Sequence, residues 1–146
     1  MRTQSIRLHA CMALCLLSSA PVLAEEIRPE LGNPVEVALI QKPDGRWTYV
    51  SFPGSFPLYV YDGDKPGKSN CNRGCASAWP PVPAGDDAAT IGLWTPIIRD
   101  DGSKQWAYQN RPVYVRYHDI PGDPQGAGQK GWRLIDDLVK TSAGTQ

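Results

Sequence analysis

The sequence predicts an all-β fold: two β-meander repeats packed into one small domain, with a short helical turn at a cysteine pair. Three observations predict it. Glycine and proline together make up 28 of the 146 residues, which suits short strands joined by many turns. The apolar residues alternate over runs of four to seven positions, the period of a half-buried strand. Most tellingly, the chain contains one ordered set of residues twice.

The repeat organises everything that follows. In the first half Asp44-Gly45 precedes Trp47-Thr48-Tyr49, then Pro57-Leu58-Tyr59-Val60 leads to Asp64-Lys65-Pro66-Gly67, and Trp79 follows. In the second half Asp101-Gly102 precedes Trp106-Ala107-Tyr108, then Pro112-Val113-Tyr114-Val115 leads to Asp119-Ile120-Pro121-Gly122, and Trp132 follows. Each unit reads as strand, turn, strand, turn, strand. Val35 to Gln41 is the first strand, with Val35, Val37 and Leu39 on one face. Pro43-Asp44-Gly45 turns the chain and Arg46 to Ser51 returns it. Pro57 to Tyr61 is the next strand, with Leu58 and Val60 on one face and Tyr59 and Tyr61 on the other. The second unit repeats this with Trp94 to Arg99, Gln105 to Tyr108 and Pro112 to Tyr117. Trp132 to Ile135 closes the fold, and a polar, flexible tail is expected over 141–146. Ala84 to Ala89 is a small-residue, acidic linker, so the repeats span about 35–83 and 91–135 within a single domain of residues 25–140.

One segment departs from the strand pattern. Asn70 to Trp79 can form a short helix, with Ser69 or Asn70 capping its start and Pro80-Pro81 ending it. On a helix Cys71, Cys75 and Trp79 would share one face.

Residues 1–24 read as a cleaved secretory signal peptide: Arg2 and Arg7 at the start, an apolar stretch from Leu8 to Ala20, and Val22-Leu23-Ala24 before Glu25. The apolar stretch is too short to span a bilayer. Cys15 follows Leu14 and Cys11 comes very early, so neither fits a lipid-anchored start. The expected location is therefore the periplasm or the exterior, without a lipid anchor and without a transmembrane segment in the mature chain. What remains is 122 residues with thirteen basic and fifteen acidic side chains. Such a balance offers no basic field for nucleic acid. The mature chain keeps His118, Cys71 and Cys75 and no methionine, which excludes a multi-histidine zinc site and a haem-attachment motif.

Together these residues resemble a known family. Tyr59-Val60-Tyr61-Asp62-Gly63-Asp64 matches the Y-x-[FWY]-x-x-D motif of a bacterial secreted-repeat lipoprotein family. Cys71-x3-Cys75-Ala76-x2-Trp79-Pro80-Pro81 and the later Gln105-Trp106, Arg111-Pro112 and Tyr114 are similar to it too. The second copy departs from the motif, with Arg116 in the aromatic position between Tyr114 and Asp119. The resemblance implies an envelope protein of this architecture and leaves its activity open.

Each candidate site carries a bland and a sharp interpretation. Cys71 and Cys75 can form a structural disulfide, as expected outside the cytoplasm. They can also form a redox-active dithiol, or, with His118, a soft-metal site suited to Cu(I). Asp64 and Asp119 precede Pro-Gly in both units, where an aspartate caps a turn; a catalytic carboxylate pair is the alternative. Tyr59, Tyr61, Tyr114 and the tryptophans Trp47, Trp79, Trp106 and Trp132 suit a β core; a sugar-stacking platform is the alternative. A contact between the motif's Tyr and its Asp would tie the two ends of the motif together. No nucleophile motif or phosphate loop is present, so no catalytic residue is assigned. The function expected is that of a non-catalytic envelope protein binding an envelope partner or a small ligand, or serving a structural role. A thiol-redox or copper accessory and a carbohydrate-binding module stand as alternatives.

Overall fold

The computed structural model describes residues 32–143. The segment read as a signal peptide lies outside them. The chain forms β1 (Val37–Gln41), β2 (Trp47–Ser51), β3 (Tyr59–Tyr61), α1 (Gly74–Ala78), β4 (Trp94–Ile98), β5 (Lys104–Tyr108), β6 (Arg111–Tyr114), β7 (Trp132–Leu134) and α2 (Asp136–Ala143). Among the described residues the strands make two antiparallel sheets with two short helices, the all-β architecture the repeats predict. One sheet is the β1–β2 hairpin; the other has five strands in the order β4-β5-β6-β3-β7.

Local chemistry explains the turns. Lys65-Pro66-Gly67-Lys68 and Ile120-Pro121-Gly122-Asp123 are the same turn in both units. In each, the fourth N–H donates to the first carbonyl over 3.0 Å. Proline fixes the second position, and glycine takes the left-handed third, at φ 69° in Gly67 and 77° in Gly122. The β5–β6 hairpin closes through Gln109 and Asn110, both left-handed, at φ 48° and 62°. That matches the right-handed twist of the strands it joins. The first unit has four more residues between Tyr49 and Pro57 than the second has between Tyr108 and Pro112. There β2 meets the start of the third strand at the isolated Val50–Pro57 bridge, and the β1–β2 hairpin forms its own sheet.

Beyond that bridge, the third strand of the first unit finds its partners in the second unit. β3 lies between β6 and β7, with Tyr59 opposite Tyr114 and Tyr61 opposite Trp132. In return the segment after Trp79 enters the second unit. Val82 donates its N–H to Val113 and accepts one from Trp106, so it sits between β6 and β5. At the equivalent place in the first unit, Ile135 donates to Leu58 and Thr48 Oγ1 donates to Asp136 beyond it. Each unit therefore receives the last strand of the other.

Both faces of β3 are buried. Leu58 and Val60 enter one core cluster with Val37, Tyr49, Trp94, Trp106, Tyr108 and Val113. Tyr59 enters a second with Cys71, Trp79, Tyr114 and Trp132, and Tyr61 packs against it. The alternation along Pro57 to Tyr61 was thus legible.

Three expectations need correction. The short helix does not begin at Asn70; it starts at Gly74 behind Arg73, whose φ of 51° breaks the helical path, and no side chain caps it. Ser69 and Asn70 are drawn to other partners, described below. The polar end is not all tail: α2 runs on to Ala143, with Asp136 and Asp137 favourable in its first turn. Val35 points to solvent, 83 % exposed, and strand β1 begins only at Val37.

Candidate functional site

The repeat motif meets itself at the seam between the units. Tyr59 of the first unit donates its hydroxyl to Asp119 Oδ2 of the second. Tyr114 of the second donates to Asp64 Oδ2 of the first over 2.8 Å. The Tyr–Asp contact suggested by the motif exists, but each pair crosses from one unit to the other. The carboxylates therefore do not cap their own Pro-Gly turns. Asp64 Oδ1 instead accepts the Asn70 N–H over 2.7 Å, six residues along, and so fixes the loop that leads to Cys71.

The two pairs differ in environment. The Asp119 side chain is 0 % exposed. Its Oδ1 has no hydrogen-bond partner among the described residues, and the nearest cation is Arg116 Nη1 at 3.6 Å. Tyr59 also accepts the Gly126 N–H over 3.2 Å. Asp64 is half-buried and better served. Burial pushes its carboxyl above the ordinary value, while the Asn70 N–H and the Tyr114 hydroxyl pull it back. Burial first, and then the neighbouring carboxylate, hold both tyrosines protonated. Tyr114 is pushed up to about 12, and Tyr59 is raised further by burial and by Asp119.

A stack of four side chains runs beside these pairs. Trp79 and Trp132, equivalent in the two units, lie face to face with ring centres 3.8 Å apart and 6° between planes. Tyr61 stacks on the outer face of Trp132 at 4.7 Å. Arg116, at the matching position of the second unit, lies 5.7 Å from the Trp79 ring centre. A guanidinium covers an aromatic face much as a ring does. This gives the departure from the motif a physical reason, and the same guanidinium faces the buried Asp119. Gly126 lets the chain pass close by, since a Cβ there would sit 2.6 Å from Trp79.

Cys71 and Cys75 form a disulfide. Cys71 precedes α1 and is 0 % exposed within the aromatic cluster; Cys75 lies inside the helix. Their Cα atoms are 5.1 Å apart, a spacing eased because the first cysteine stands outside the helical turn. Among the described residues no three His, Cys, Asp or Glu side chains gather into a metal-holding group. His118 lies against Tyr117 at 4.2 Å between ring centres.

Sequence reasoning missed Arg99. Its buried guanidinium donates to Ser69 Oγ (3.0 Å), Gln105 Oε1, the Cys71 carbonyl (2.7 Å) and Asn72 Oδ1. Ser69 Oγ in turn meets the Tyr114 hydroxyl at 2.7 Å, so one polar network joins the disulfide loop, β5 and the Tyr114–Asp64 pair. The signal was available: Ile97 and Arg99 share one face of the alternating strand while Ile98 points to solvent, and an arginine on an inward face needs buried partners.

Of the other motif residues, Trp106 is buried and donates its ring N–H to Glu36 over 3.1 Å. Trp47 is half-buried at the start of β2, outside both core clusters. A cleft of about 370 Å³ lies along the β1–β2 hairpin, where the first unit meets Pro124, Leu134 and Asp136 of the second. Tyr49, Val50, Pro57, Leu58, Pro124 and Leu134 give it apolar walls. Lys42 and Thr48, also in its lining, each donate to Asp136.

The stretch from residue 54 to 83 matches the model of a secreted repeat of unknown function. It runs from the loop before β3 through Asp64 and the disulfide to Pro83. No curated protein and no solved structure matches the chain. The match points to an exported protein. Among the described residues no helix is long and apolar enough to cross a membrane.

Proposed function

We propose that this chain is an exported, non-catalytic accessory of the bacterial envelope that binds a partner or ligand. One observation carries the proposal: the side chains that define the repeat are spent on holding the two units together. Tyr59, Tyr114, Asp64 and Asp119 answer one another across the seam, and the faces of Trp79 and Trp132 are turned inward. A motif used in this way specifies a rigid scaffold, and recognition falls to what the scaffold displays. The cleft along the β1–β2 hairpin is the surface best shaped for it, apolar within and polar at the rim.

The test places a photo-reactive side chain at Ile40, on the cleft, or at Ile98, on β4, in the full chain carrying its own N-terminus. Irradiation of intact cells should give a discrete adduct from Ile40 and none from Ile98. Adducts equal at both positions, or none from either, would refute the proposal. Alkylation of the extracted protein before and after reduction separates the thiol-redox alternative. A structural bridge shows no reactive thiol until reductant is added, whereas a working couple shows a mixed population.

A further inference from the structure

The seam between the units is built from the same elements twice, in opposite order. β3 pairs antiparallel with β6 through Tyr59–Tyr114 and Val60–Val113. The segment at Val82 inserts beside Val113, and the segment at Ile135 attaches beside Leu58. Tyr59 answers Asp119 as Tyr114 answers Asp64, and Trp79 faces Trp132. The matching tyrosines and the matching aspartates are each 55 positions apart. Such reciprocity is the signature of an isologous contact about a two-fold axis, the kind two identical partners make.

Nothing in a contact of this kind requires its halves to be covalently joined. The join is residues 84–93, most of them exposed. It is held to the body at its start by the Ala84 N–H on the Lys104 carbonyl, by Lys104 Nζ on the Asp86 carbonyl and by partial burial of Ala88, and at its end by the Ile91–Trp94 bridge and the Gln109 N–H on the Leu93 carbonyl. We infer that the seam is a homotypic strand-exchange interface, and that the partner it fits is a second copy of this chain. The first unit of one copy closes on the second unit of the other, and the reverse, giving a closed dimer with two complete seams. Every hydrogen bond of the seam is kept and only the path of the linker changes. Linker length and concentration therefore decide between the two forms. Folding back gives the tethered unit an effective concentration on the order of millimolar, which favours the monomer in dilute solution. A linker too short to fold back removes that advantage.

The experiment uses the mature full chain with Gly85–Ala89 deleted. Light scattering should give twice the chain mass, and the two seam tyrosines should still titrate late. A folded monomer overturns the inference. Should the deletion variant fail to fold, a second form decides. A protease site is placed at Asp86-Asp87 in a chain of full length, and the linker is cut after folding. Cut samples with and without heavy-isotope label are then mixed and weighed by native mass spectrometry. Pieces that stay together and give mixed-label pairs sustain the inference. Pieces that separate, or that never exchange, overturn it.

Discussion

Replacing Tyr59 by phenylalanine tests the physics of the seam with the removal of one oxygen. In the native fold that hydroxyl donates to a carboxylate with no exposed surface and accepts the Gly126 N–H. A hydrogen bond to a charged group is worth about 1.5–3 kcal/mol, and an orphaned buried donor adds about 1. Asp119 has little to fall back on, because among the described residues its other oxygen accepts no hydrogen bond and has only the Arg116 guanidinium at 3.6 Å. The expected loss is about 3–4 kcal/mol, a fall in Tm of about 12–16 °C for a domain of this size. Tyr114→Phe removes the equivalent atom in a more forgiving place. Asp64 keeps the Asn70 N–H and some solvent, and Ser69 keeps Arg99. That variant should lose about 1–2 kcal/mol. Urea unfolding at neutral pH measures both, and a double-mutant cycle of Tyr59→Phe with Asp119→Ala should return a coupling of about 2 kcal/mol. A coupling near zero would refute the reasoning, because then the crossed pair is not what holds the units together, and equal losses in the two phenylalanine variants would refute the difference in surroundings between Asp119 and Asp64.

The seam should also show in alkali. Free tyrosine releases its proton near pH 10, whereas Tyr114 holds its own to about 12 and Tyr59 later still. Above pH 10 the unfolded chain binds fewer protons than the folded one. Stability should therefore be complete below pH 10 and fall between 10 and 12, by about 1.4 kcal/mol per pH unit for each tyrosine. Phenolate absorbance should rise in two stages, and a single stage near pH 10 would contradict the burial of these hydroxyls. Reducing the disulfide releases a ring of only a few residues, so the loss should be about 2 kcal/mol, read as a lower Tm with the near-ultraviolet signal of the stacked tryptophans retained. A loss of that signal would mean that the bridge, rather than the Tyr–Asp pairs, holds the stack in place. Arg116→Ala removes both the cover over Trp79 and the nearest cation to Asp119, and should cost about 2 kcal/mol. Gly126→Ala should cost about 1–3 kcal/mol through the clash with Trp79. Thermal unfolding distinguishes these from silent surface changes.

The sequence by itself determined what is local. Two copies of one residue pattern implied two like units. Proline followed by glycine implied turns that the backbone closes in the same way at Gly67 and Gly122. Alternation from Pro57 to Tyr61 implied two faces, and both faces are buried. An inward arginine just after β4 was written in the same alternation, although its partners were not. Which copy of the motif meets which could not be read, because the copies are alike. Tyr59 has Asp64 nearby in sequence and Asp119 far away, and composition treats the two alike. Only closure of the chain decided. β3 entered the other unit's sheet, the last strand of each unit joined the other, and the nearby aspartate was left facing the far tyrosine. The tertiary structure likewise placed Cys71 outside the helix, because the Asn70 N–H is held by Asp64 and the chain turns at Arg73 before a helix can begin. Short-range propensities act within a few residues. The seam is a contact across 55 residues, and its energy appears only when both halves are present.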